Sequence, residues 1–474
     1  MTDDPGVTYG AGSEDFRQAE WLARKLKDRW KYDHTAKQWH HWNGVRWAPD
    51  QTNLIKRTVS ELAVNGIGDA ASDIERKALI RLLNLAPIDK SLEALSTFEN
   101  YGTDGADWDQ VPYLLGTKNG VVDLRYNALL PDVGPECLVT KTTGVPFKPV
   151  EGPDAFHTVA PLFMGFLDEI MSGDADMVSF LLLWFGASLH GFSPEQRFLL
   201  MTGIGRNGKG ALKHSVMKAV GEYGVQPDAN VYMRSRMGGT SSAGARADLM
   251  DLKGRRVGFF SEPEGNRFNE EMLKAHTGGD MITARALYSN RVISWEPTHS
   301  ITFLVNNAPE VEDLGPSMGA RVMVADFRER FDGDAEDKQL YRKLEAEAVG
   351  ILAILCWAAS AWYESWDRSG EGITLPERVK EQSRQFMERN DQVAAFLNEA
   401  AVLDAMAQTP SQRLYQAYQQ WHARSDHEED IFSATRFSQV LERKGFRKGR
   451  DMNSKYFVGI RPKPAVDLAE DEDE

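Results

Sequence analysis

A glycine-rich stretch between an apolar run and a helical pattern constrains this chain more than any other feature. Residues 198–201 have the length of a buried strand, and apolar residues recur at helical spacing from Ala211 onward. Glycines between them let backbone N–H groups converge on a polyanion, and the following helix adds partial positive charge. This order predicts a phosphate-binding loop, although the loop alone would also suit a plain strand-to-helix turn. The predicted nucleotide-binding residues are Gly203, Gly205, Arg206, Asn207, Gly208, Lys209 and Gly210.

The end of this loop predicts the cofactors and contains one departure from the usual pattern. Lys209 is expected to reach the β- and γ-phosphates of a nucleotide. Gly210 stands where Ser or Thr usually supplies a hydroxyl ligand to Mg²⁺. We therefore predict ATP and Mg²⁺ as cofactors, with the metal ion relying on ligands other than a loop hydroxyl.

A second predicted strand, residues 257–260, is followed by two acids. A carboxylate at the tip of a buried strand can hold Mg²⁺ and polarise an attacking water. We assign Glu262 as the first catalytic acid and the metal ligand, and Glu264 as the second. Acids at strand ends are common, so the pattern gains weight only because Glu262 follows Lys209 by 53 residues.

Two further polar residues lie beside predicted strands. Asn306 follows a third apolar run, residues 301–305, and is placed to sense a γ-phosphate or orient water; capping a loop is the alternative. Arg321 precedes a fourth apolar run and suits an arginine that stabilises transition-state charge in a neighbouring subunit. By itself, a surface ion pair explains Arg321 better.

Two segments downstream of the loop predict particular shapes. Residues 283–288 and 292–295 flank Ser289 and Asn290 as a hairpin with Tyr288 and Arg291 near its tip. Residues 434–461 have the helix, turn and strand pattern of a small winged helix. Residues 436–463 contain nine Lys and Arg but only two acids. This local excess of positive charge favours DNA contact over a solvated helix face. The cations that we assign to DNA there are Arg436, Lys444, Arg447, Lys448 and Arg450.

Composition excludes several classes of protein. The chain of 474 residues predicts about three domains, and its net charge of −15 argues against a surface that is cationic overall. Two cysteines without a Cys/His cluster argue against a disulfide framework or structural zinc and fit a reducing cytoplasm. The polar, acidic start does not resemble a signal peptide. Residues 178–192 are too short to span a bilayer and predict a buried helix.

The part before the loop predicts a mixed α/β region. Asn43-Gly44 between aromatic runs and Asn119-Gly120 within LLGTKNGVVDLR each predict a hairpin turn, and residues 51–98 predict helices. Three nearby histidines, residues 34, 40 and 41, are more easily explained by packing than by metal binding. Asp107 and Asp109 mimic a polymerase acid pair, but a loop or capping role is favoured because no apolar strand frames them. Residues 155–192 and 336–367 predict helices packed on the core, and helices resume from about residue 375 to residue 423.

The order of these motifs resembles a known family. GIGRNGKG, SEPEGNRFNEEMLKAHTGGDMITARALY, TFLVNNAP and GARVMVADF occur in the order found in superfamily III helicases. The chain is most similar to the helicase part of phage and plasmid primase–helicases, which are related to the poxvirus primase–helicase. KAHTGGDMITARALY is the most specific segment, and the resemblance extends over most of residues 15–461.

The resemblance implies an α/β fold with an AAA+ P-loop ATPase core, an upstream mixed α/β domain and a C-terminal winged helix. The implied divisions are residues 1–150, 151–370 with helical lead-in and lid, 371–462, and an acidic disordered tail at 463–474. Lys209 matches the phosphate-binding lysine, Glu262 the strand-end acid, Asn306 the sensor and Arg321 the arginine finger. Residues 285–296 match a hairpin that grips DNA in the channel of a ring, and the residues that we assign to it are Arg285, Tyr288, Asn290 and Arg291.

The implied activity is ATP-driven unwinding of DNA in phage, prophage or plasmid replication, by a hexameric ring moving 3′ to 5′ in the bacterial cytoplasm without membrane attachment. The part before the loop is too short for a full primase domain as well, so a separately encoded primase is an expected partner. Two alternatives stay open: a P-loop kinase or packaging ATPase, and a DNA-binding replication initiator that uses ATP without processive unwinding.

Overall fold

The computed structural model describes residues 14–192, 195–234, 247–263, 267–285, 292–311, 315–333, 337–424, 431–450 and 454–464. Its strands form five sheets, of which the largest is parallel and is flanked by helices. The upstream region combines helices with small antiparallel sheets. The predicted α/β class is therefore confirmed.

The first part of the chain is a helical layer on a small aromatic sheet. Its elements are α1 (Glu14–Leu26), β1 (Trp30–Asp33), β2 (Gln38–Trp42), β3 (Trp47–Pro49), α2 (Leu54–Ile67), α3 (Asp73–Arg81), α4 (Leu85–Leu95) and β4 (Gly102–Thr103). The sheet order is β3-β2-β1-β4, and Trp42 pairs with Trp47 across the predicted turn. Leu22, Val59 and Leu95 are fully buried and form part of the core under the helices.

A second small sheet connects this region to the rest of the chain. It contains β5 (Leu114–Thr117), β6 (Gly120–Asp123) and β7 (Ala128–Leu129); the predicted hairpin is present, with its turn at Lys118-Asn119, one residue before the predicted position. The buried guanidinium of Arg256 donates to Leu114 O at 2.7 Å and to Leu189 O at 2.6 Å. It also lies 4.6 Å from the ring centre of Tyr223. One buried cation therefore joins three segments far apart in sequence.

Asp109 has a structural role in the same region. Its carboxylate accepts a 2.8 Å hydrogen bond from the Thr140 N–H and lies 3.4 Å from Lys141 Nζ. Despite burial, which opposes ionisation, Lys141 and Thr140 hold the pKa of this carboxyl below its usual value. These contacts tie two loops together, as expected of a loop residue rather than of a polymerase acid pair.

The largest sheet and its helices follow a helical lead-in. The lead-in is α5 (Phe156–Val159), α6 (Pro161–Ile170) and α7 (Ala175–Ala187). The next elements are β8 (Phe198–Thr202), α8 (Lys209–Val220), β9 (Gly224–Val225), α9 (Ala247–Met250), β10 (Val257–Ser261), α10 (Glu270–Gly278), β11 (Ile282–Arg285), β12 (Val292–Trp295), β13 (Ser300–Val305), α11 (Pro316–Gly319) and β14 (Val322–Asp326). The sheet order is β14-β8-β13-β10-β9, with all pairs parallel. Its strands are continuous apolar runs because both faces are covered.

Two helices after β14 complete one face of this sheet. They are α12 (Leu340–Ala346) and α13 (Ala348–Ser369), and α13 packs against α7 and α8. Within the described ranges, α13 is long and apolar enough to cross a membrane, and α6 with α7 would pass the same test only as a pair bent by 118°. Residues such as Ile351, Leu355 and Trp362 lie in the core. The composition of α13 is thus explained by burial in protein.

The predicted hairpin after α10 is present at its base. Ile282 pairs with Trp295, and Arg285 pairs with Val292. Trp295 and Ala284 are buried, so the base of the hairpin is anchored in the core. The tip residues Tyr288, Asn290 and Arg291 lie outside the described residues, and their assignment stays a prediction.

The C-terminal part contains helices and one antiparallel sheet. Its elements are α14 (Glu377–Arg389), α15 (Gln392–Glu399), β15 (Ala401–Pro410), α16 (Ser411–Arg424), α17 (Ala434–Arg443), β16 (Lys448–Arg450) and β17 (Lys455–Pro462). The sheet order is β15-β17-β16. The elements beyond α14 share their own core, which includes Phe396, Tyr418 and Phe437. α14, grouped with this part by the sequence, packs against β14 instead.

The helical prediction across residues 401–410 is wrong. This segment is β15, and Ala401 and Pro410 pair with Pro462 and Tyr456 of β17. Ala, Leu and Met favour helix in isolation, but pairing with a strand fifty residues away overrides that local preference. Long-range pairing of this kind has no signature within the segment itself.

Two buried histidines lead us to predict acid sensitivity. Burial lowers the pKa of His299 to about 3 and that of His190 to about 4. Because the unfolded chain takes up these protons below about pH 6.5 and the folded chain does not, stability falls as the pH drops through that window. Each histidine is expected to cost about 2 kcal/mol at pH 5.

Urea unfolding at pH 7 and pH 5 tests this expectation. His299→Gln should lose less stability between the two pH values than the wild type, whereas His157→Gln, at an exposed position, should match the wild type. Equal losses in all three proteins would contradict the assignment to His299.

Candidate nucleotide-binding site

The carboxyl ends of three adjacent strands bring the predicted site residues together. β13 lies between β8 and β10, so the glycine loop, Asn306 and Glu262 each begin where one of these strands ends. In open α/β sheets, ligands bind at this edge. The register pairs Thr202 with Val305, which places Gly203 and Asn306 level with each other.

The glycine loop has a backbone that exposes N–H groups. Gly205, Arg206 and Gly208 all have positive φ angles, of 90°, 52° and 84°. A Cβ on Gly208 would lie 2.4 Å from Ile170 Cγ2, so close packing on α6 also requires glycine there. α8 begins at Lys209, and the N–H groups of its first turn have no partners within the helix. Together these groups form a concave, electropositive cradle suited to phosphates.

Lys209 lies at the centre of this edge. Its Nζ donates to Gly203 O at 2.6 Å and lies 3.4 Å from Asn306 Oδ1. Burial lowers the pKa of Lys209 to about 8, and the nearby Glu262 carboxylate partly offsets that effect. Burial removes water that would stabilise the charge on this ammonium group. The negative charge of a bound phosphate would stabilise it instead.

Glu262 has an unusual backbone. It follows β10 with a φ of 49°, a left-handed conformation that costs energy for a residue with a side chain. Its N–H donates to Leu304 O at 3.0 Å, which holds the residue against β13. Its carboxylate acts to raise the pKa of Lys209 and that of Lys213, which opposes the lowering of both values by burial. Glu264, the second predicted acid, lies outside the described residues.

The chain fits Mg²⁺ only together with a nucleotide. Among the described residues no group of three or more His, Cys, Asp or Glu is arranged to hold a metal ion. One carboxylate, that of Glu262, follows the end of β10 next to the strand that precedes Asn306. A cation at this edge would therefore take part of its ligands from phosphate oxygens, the arrangement that is usual for Mg²⁺.

Arg321 lies at the opposite edge of the sheet. Its carbonyl oxygen accepts from the Phe198 N–H, at the start of β8, whereas the glycine loop follows the end of β8. Its Nη1 donates to Ser317 O at 2.8 Å. Arg321 is thus separated from Lys209 of its own chain by the length of a strand, and its assignment as an arginine finger stays a prediction.

The structure adds residues that the sequence did not single out. Asp326 ends β14 beside the loop and accepts from Arg378 Nε at 2.7 Å, while Arg328 also pairs with it. Phe331 N–H donates to Arg206 O at 2.7 Å, which brings the segment after β14 against the loop. Asp326 carries the same signal as Glu262, an acid at a strand end. Only the structure reveals that arginines neutralise it.

The cations assigned to DNA in the C-terminal part fall into two groups. Lys444 pairs with Asp391 at 2.5 Å, and Lys448 pairs with Glu442 at 2.8 Å. Arg436 stacks on Phe432, with its guanidinium carbon 3.4 Å from the ring centre. Arg447 and Arg450 are exposed and form no ion pair with another described residue. These two arginines are the better placed for phosphate contacts.

The fold and the loop define a P-loop α/β protein, and comparison with known proteins narrows the class. Residues 19–172 match the family described as D5 N terminal like, and residues 388–458 match the family described as poxvirus D5 protein-like. The two matches flank the parallel sheet on either side. The predicted resemblance to poxvirus-type primase–helicases is therefore confirmed.

Individual relatives agree with this assignment. The chain is 26% identical over 351 residues to a protein of Acanthamoeba polyphaga mimivirus that is named a helicase, covering 68% of this chain but 36% of that protein. An apo structure of the NrS-1 C-terminal region is similar over 95% of this chain and all of that one, with a TM-score of 0.52 at 12% identity. A second apo form gives a TM-score of 0.51 over 94% of this chain and 99% of that one, also at 12% identity. These structures share the fold with this chain.

Proposed function

We propose that this chain is the ATP-driven motor of a DNA helicase used in phage, prophage or plasmid replication. The observation that carries the proposal is the meeting of Lys209, Glu262 and Asn306 at one sheet edge, in a chain whose relative is named a helicase. A kinase or packaging ATPase would not account for the two D5-type matches that flank the sheet.

Each residue has a role that follows from its position. The loop amides and Lys209 bind the phosphates, and Asn306 contacts the γ-phosphate. Glu262 orients the attacking water and takes up its proton. Mg²⁺, when bound with ATP, neutralises charge on the phosphoryl oxygens. Because Arg321 lies at the far edge, it completes the site of the next subunit in a ring, for which we propose six copies.

DNA would be held by the hairpin and by the C-terminal part. Arg285 ends β11, at the tip-proximal end of the described part of the hairpin, and the tip residues that we assign to DNA follow it in the sequence. The C-terminal helices and three-stranded sheet have the elements of a winged helix. We propose 3′ to 5′ movement in the cytoplasm of a bacterial host, with a separately encoded primase as partner.

An unwinding assay on forked DNA tests the proposal. Substrates with either a 3′ or a 5′ tail are incubated with ATP and Mg²⁺, and the mass of the protein is measured in ATP. ATP-dependent strand separation with the 3′-tailed substrate and a ring-sized mass are the expected results. DNA-stimulated hydrolysis without strand separation would instead favour the alternative of an ATP-regulated replication initiator.

The two groups of C-terminal cations lead to a separate prediction. Replacing Arg447 and Arg450 together by Ala should reduce the salt dependence of DNA binding, with the slope of log K against log salt falling by about 1.8 for two lost phosphate contacts. Lys444→Ala with Lys448→Ala removes the same charge from residues already paired with acids and should change the slope less. Fluorescence anisotropy across a salt series measures both; equal changes would contradict the distinction.

A further inference from the structure

The residue after the P-loop lysine lacks the hydroxyl group that usually binds Mg²⁺ at this position. A Ser or Thr hydroxyl at this position normally serves as a neutral oxygen ligand to Mg²⁺. Gly210 has no side chain, and it lies in the first turn of α8, directly after Lys209. Any replacement hydroxyl must therefore come from another part of the fold.

One tyrosine hydroxyl occupies the space beside Gly210. If a Cβ is built on Gly210, the one described atom within 4 Å of it, apart from its chain neighbours and the backbone of α8 itself, is Tyr341 Oη, at 3.0 Å. Tyr341 lies in α12, 131 residues further along the chain. Tyr341 is about half exposed, with a relative accessibility of 48%, and its hydroxyl lies beside the first turn of α8, where the cradle ends.

The tyrosine ring is held in this position by α8 itself. His214, one turn after Gly210, contacts the Tyr341 ring edge-on, with ring centres 4.9 Å apart. Glu345, one turn after Tyr341, fixes His214 through a 2.8 Å hydrogen bond and lies 3.5 Å from Lys218 Nζ. Two helices thus clamp the ring, while the hydroxyl makes no hydrogen bond with another described residue.

We propose that the Tyr341 hydroxyl supplies the neutral oxygen that Gly210 lacks, and so acts as the side-chain hydroxyl ligand for nucleotide-bound Mg²⁺. The inference rests on the proposed function, since it assumes that ATP binds at Lys209. It also explains the glycine: a Ser or Thr at position 210 would crowd a hydroxyl that is already present.

A binding titration tests the inference without relying on turnover. A fluorescent, non-hydrolysable ATP analogue is titrated at a series of Mg²⁺ concentrations and in EDTA. In Tyr341→Phe, which keeps the ring and its contact with His214, the half-saturating Mg²⁺ concentration is expected to rise about tenfold or more, because losing even a partner of a metal ligand typically costs that much metal affinity. Affinity in EDTA should stay within about twofold, which also establishes that the variant is folded.

Paired variants distinguish a ligand from a packing residue. Adding Gly210→Ser to Tyr341→Phe should return the half-saturating Mg²⁺ concentration to the wild-type value. Adding Gly210→Ala should leave it raised, because the Cβ alone carries no oxygen. Tyr126→Phe, at an exposed tyrosine elsewhere, should match the wild type.

The results separate this inference from the proposed function. If the wild type does not bind the analogue with Mg²⁺, the proposed function fails. If the wild type binds but Tyr341→Phe has an unchanged Mg²⁺ requirement, or if serine at position 210 gives no rescue in the Phe background, the role of Tyr341 is overturned and the proposed function stands.

Discussion

Lys209→Ala is expected to abolish ATP hydrolysis and DNA unwinding while leaving the fold intact. The ammonium group donates to Gly203 O and contacts Asn306 inside the cradle, so its loss removes a side-chain cation at the centre of the site. Removing a preorganised group that stabilises transition-state charge costs on the order of 10²–10³ in rate. Because Lys209 is desolvated in the free protein, its removal should not lower the free energy of unfolding much.

A neighbouring lysine provides the matched control for this experiment. Lys213 lies one turn later in α8, its pKa is also lowered by burial, and its Nζ donates to Gln226 Oε1 at 3.0 Å. Lys213→Ala removes the same charge and the same number of atoms but keeps the contacts of Lys209 with Gly203 and Asn306. ATP turnover measured by phosphate release, with thermal unfolding in parallel, compares the two. Wild-type turnover in Lys209→Ala would remove the basis for the nucleotide site.

The core of the fold could be predicted because its local patterns agree with its tertiary structure. β8, β10, β13 and β14 are continuous apolar runs, and a parallel sheet covered on both faces requires that composition. The residues that follow β8, β10 and β13 had to share one edge, since the carboxyl ends of parallel strands point the same way. The glycine loop, Glu262 and Asn306 therefore meet where the sequence placed them.

Features that depend on distant residues could not be predicted. β15 forms through pairing with β17, and its own residues favour helix. The proximity of Tyr341 to Gly210 depends on how α12 lies along α8, which no local pattern encodes. The pairing of Asp326 with Arg378 likewise joins a strand end to a helix fifty residues later. In each case the role of the residue follows from a partner far away in the sequence, and the residue type by itself does not indicate that role.

The position of Arg321 leads to the second large effect. Arg321 lies at the amino edge of the sheet, and the glycine loop lies at the carboxyl edge of the same sheet. If the arginine acts in a neighbouring subunit, Arg321→Ala should reduce hydrolysis by a factor on the order of 10³–10⁵, the effect of an arginine finger. Nucleotide affinity should change little, because Lys209 and the loop of each chain stay intact.

Mixing two inactive variants tests whether the arginine acts between subunits. Lys209→Ala chains retain Arg321, and Arg321→Ala chains retain the glycine loop. In randomly mixed rings with equal amounts of each, about a quarter of the interfaces join an intact loop to an intact arginine, so hydrolysis should return to about a quarter of the wild-type level. Arg368→Ala, at an exposed arginine at the end of α13, serves as the control and should hydrolyse ATP normally. If mixing restores no activity although mass measurements detect mixed rings, Arg321 does not complete a neighbour's site.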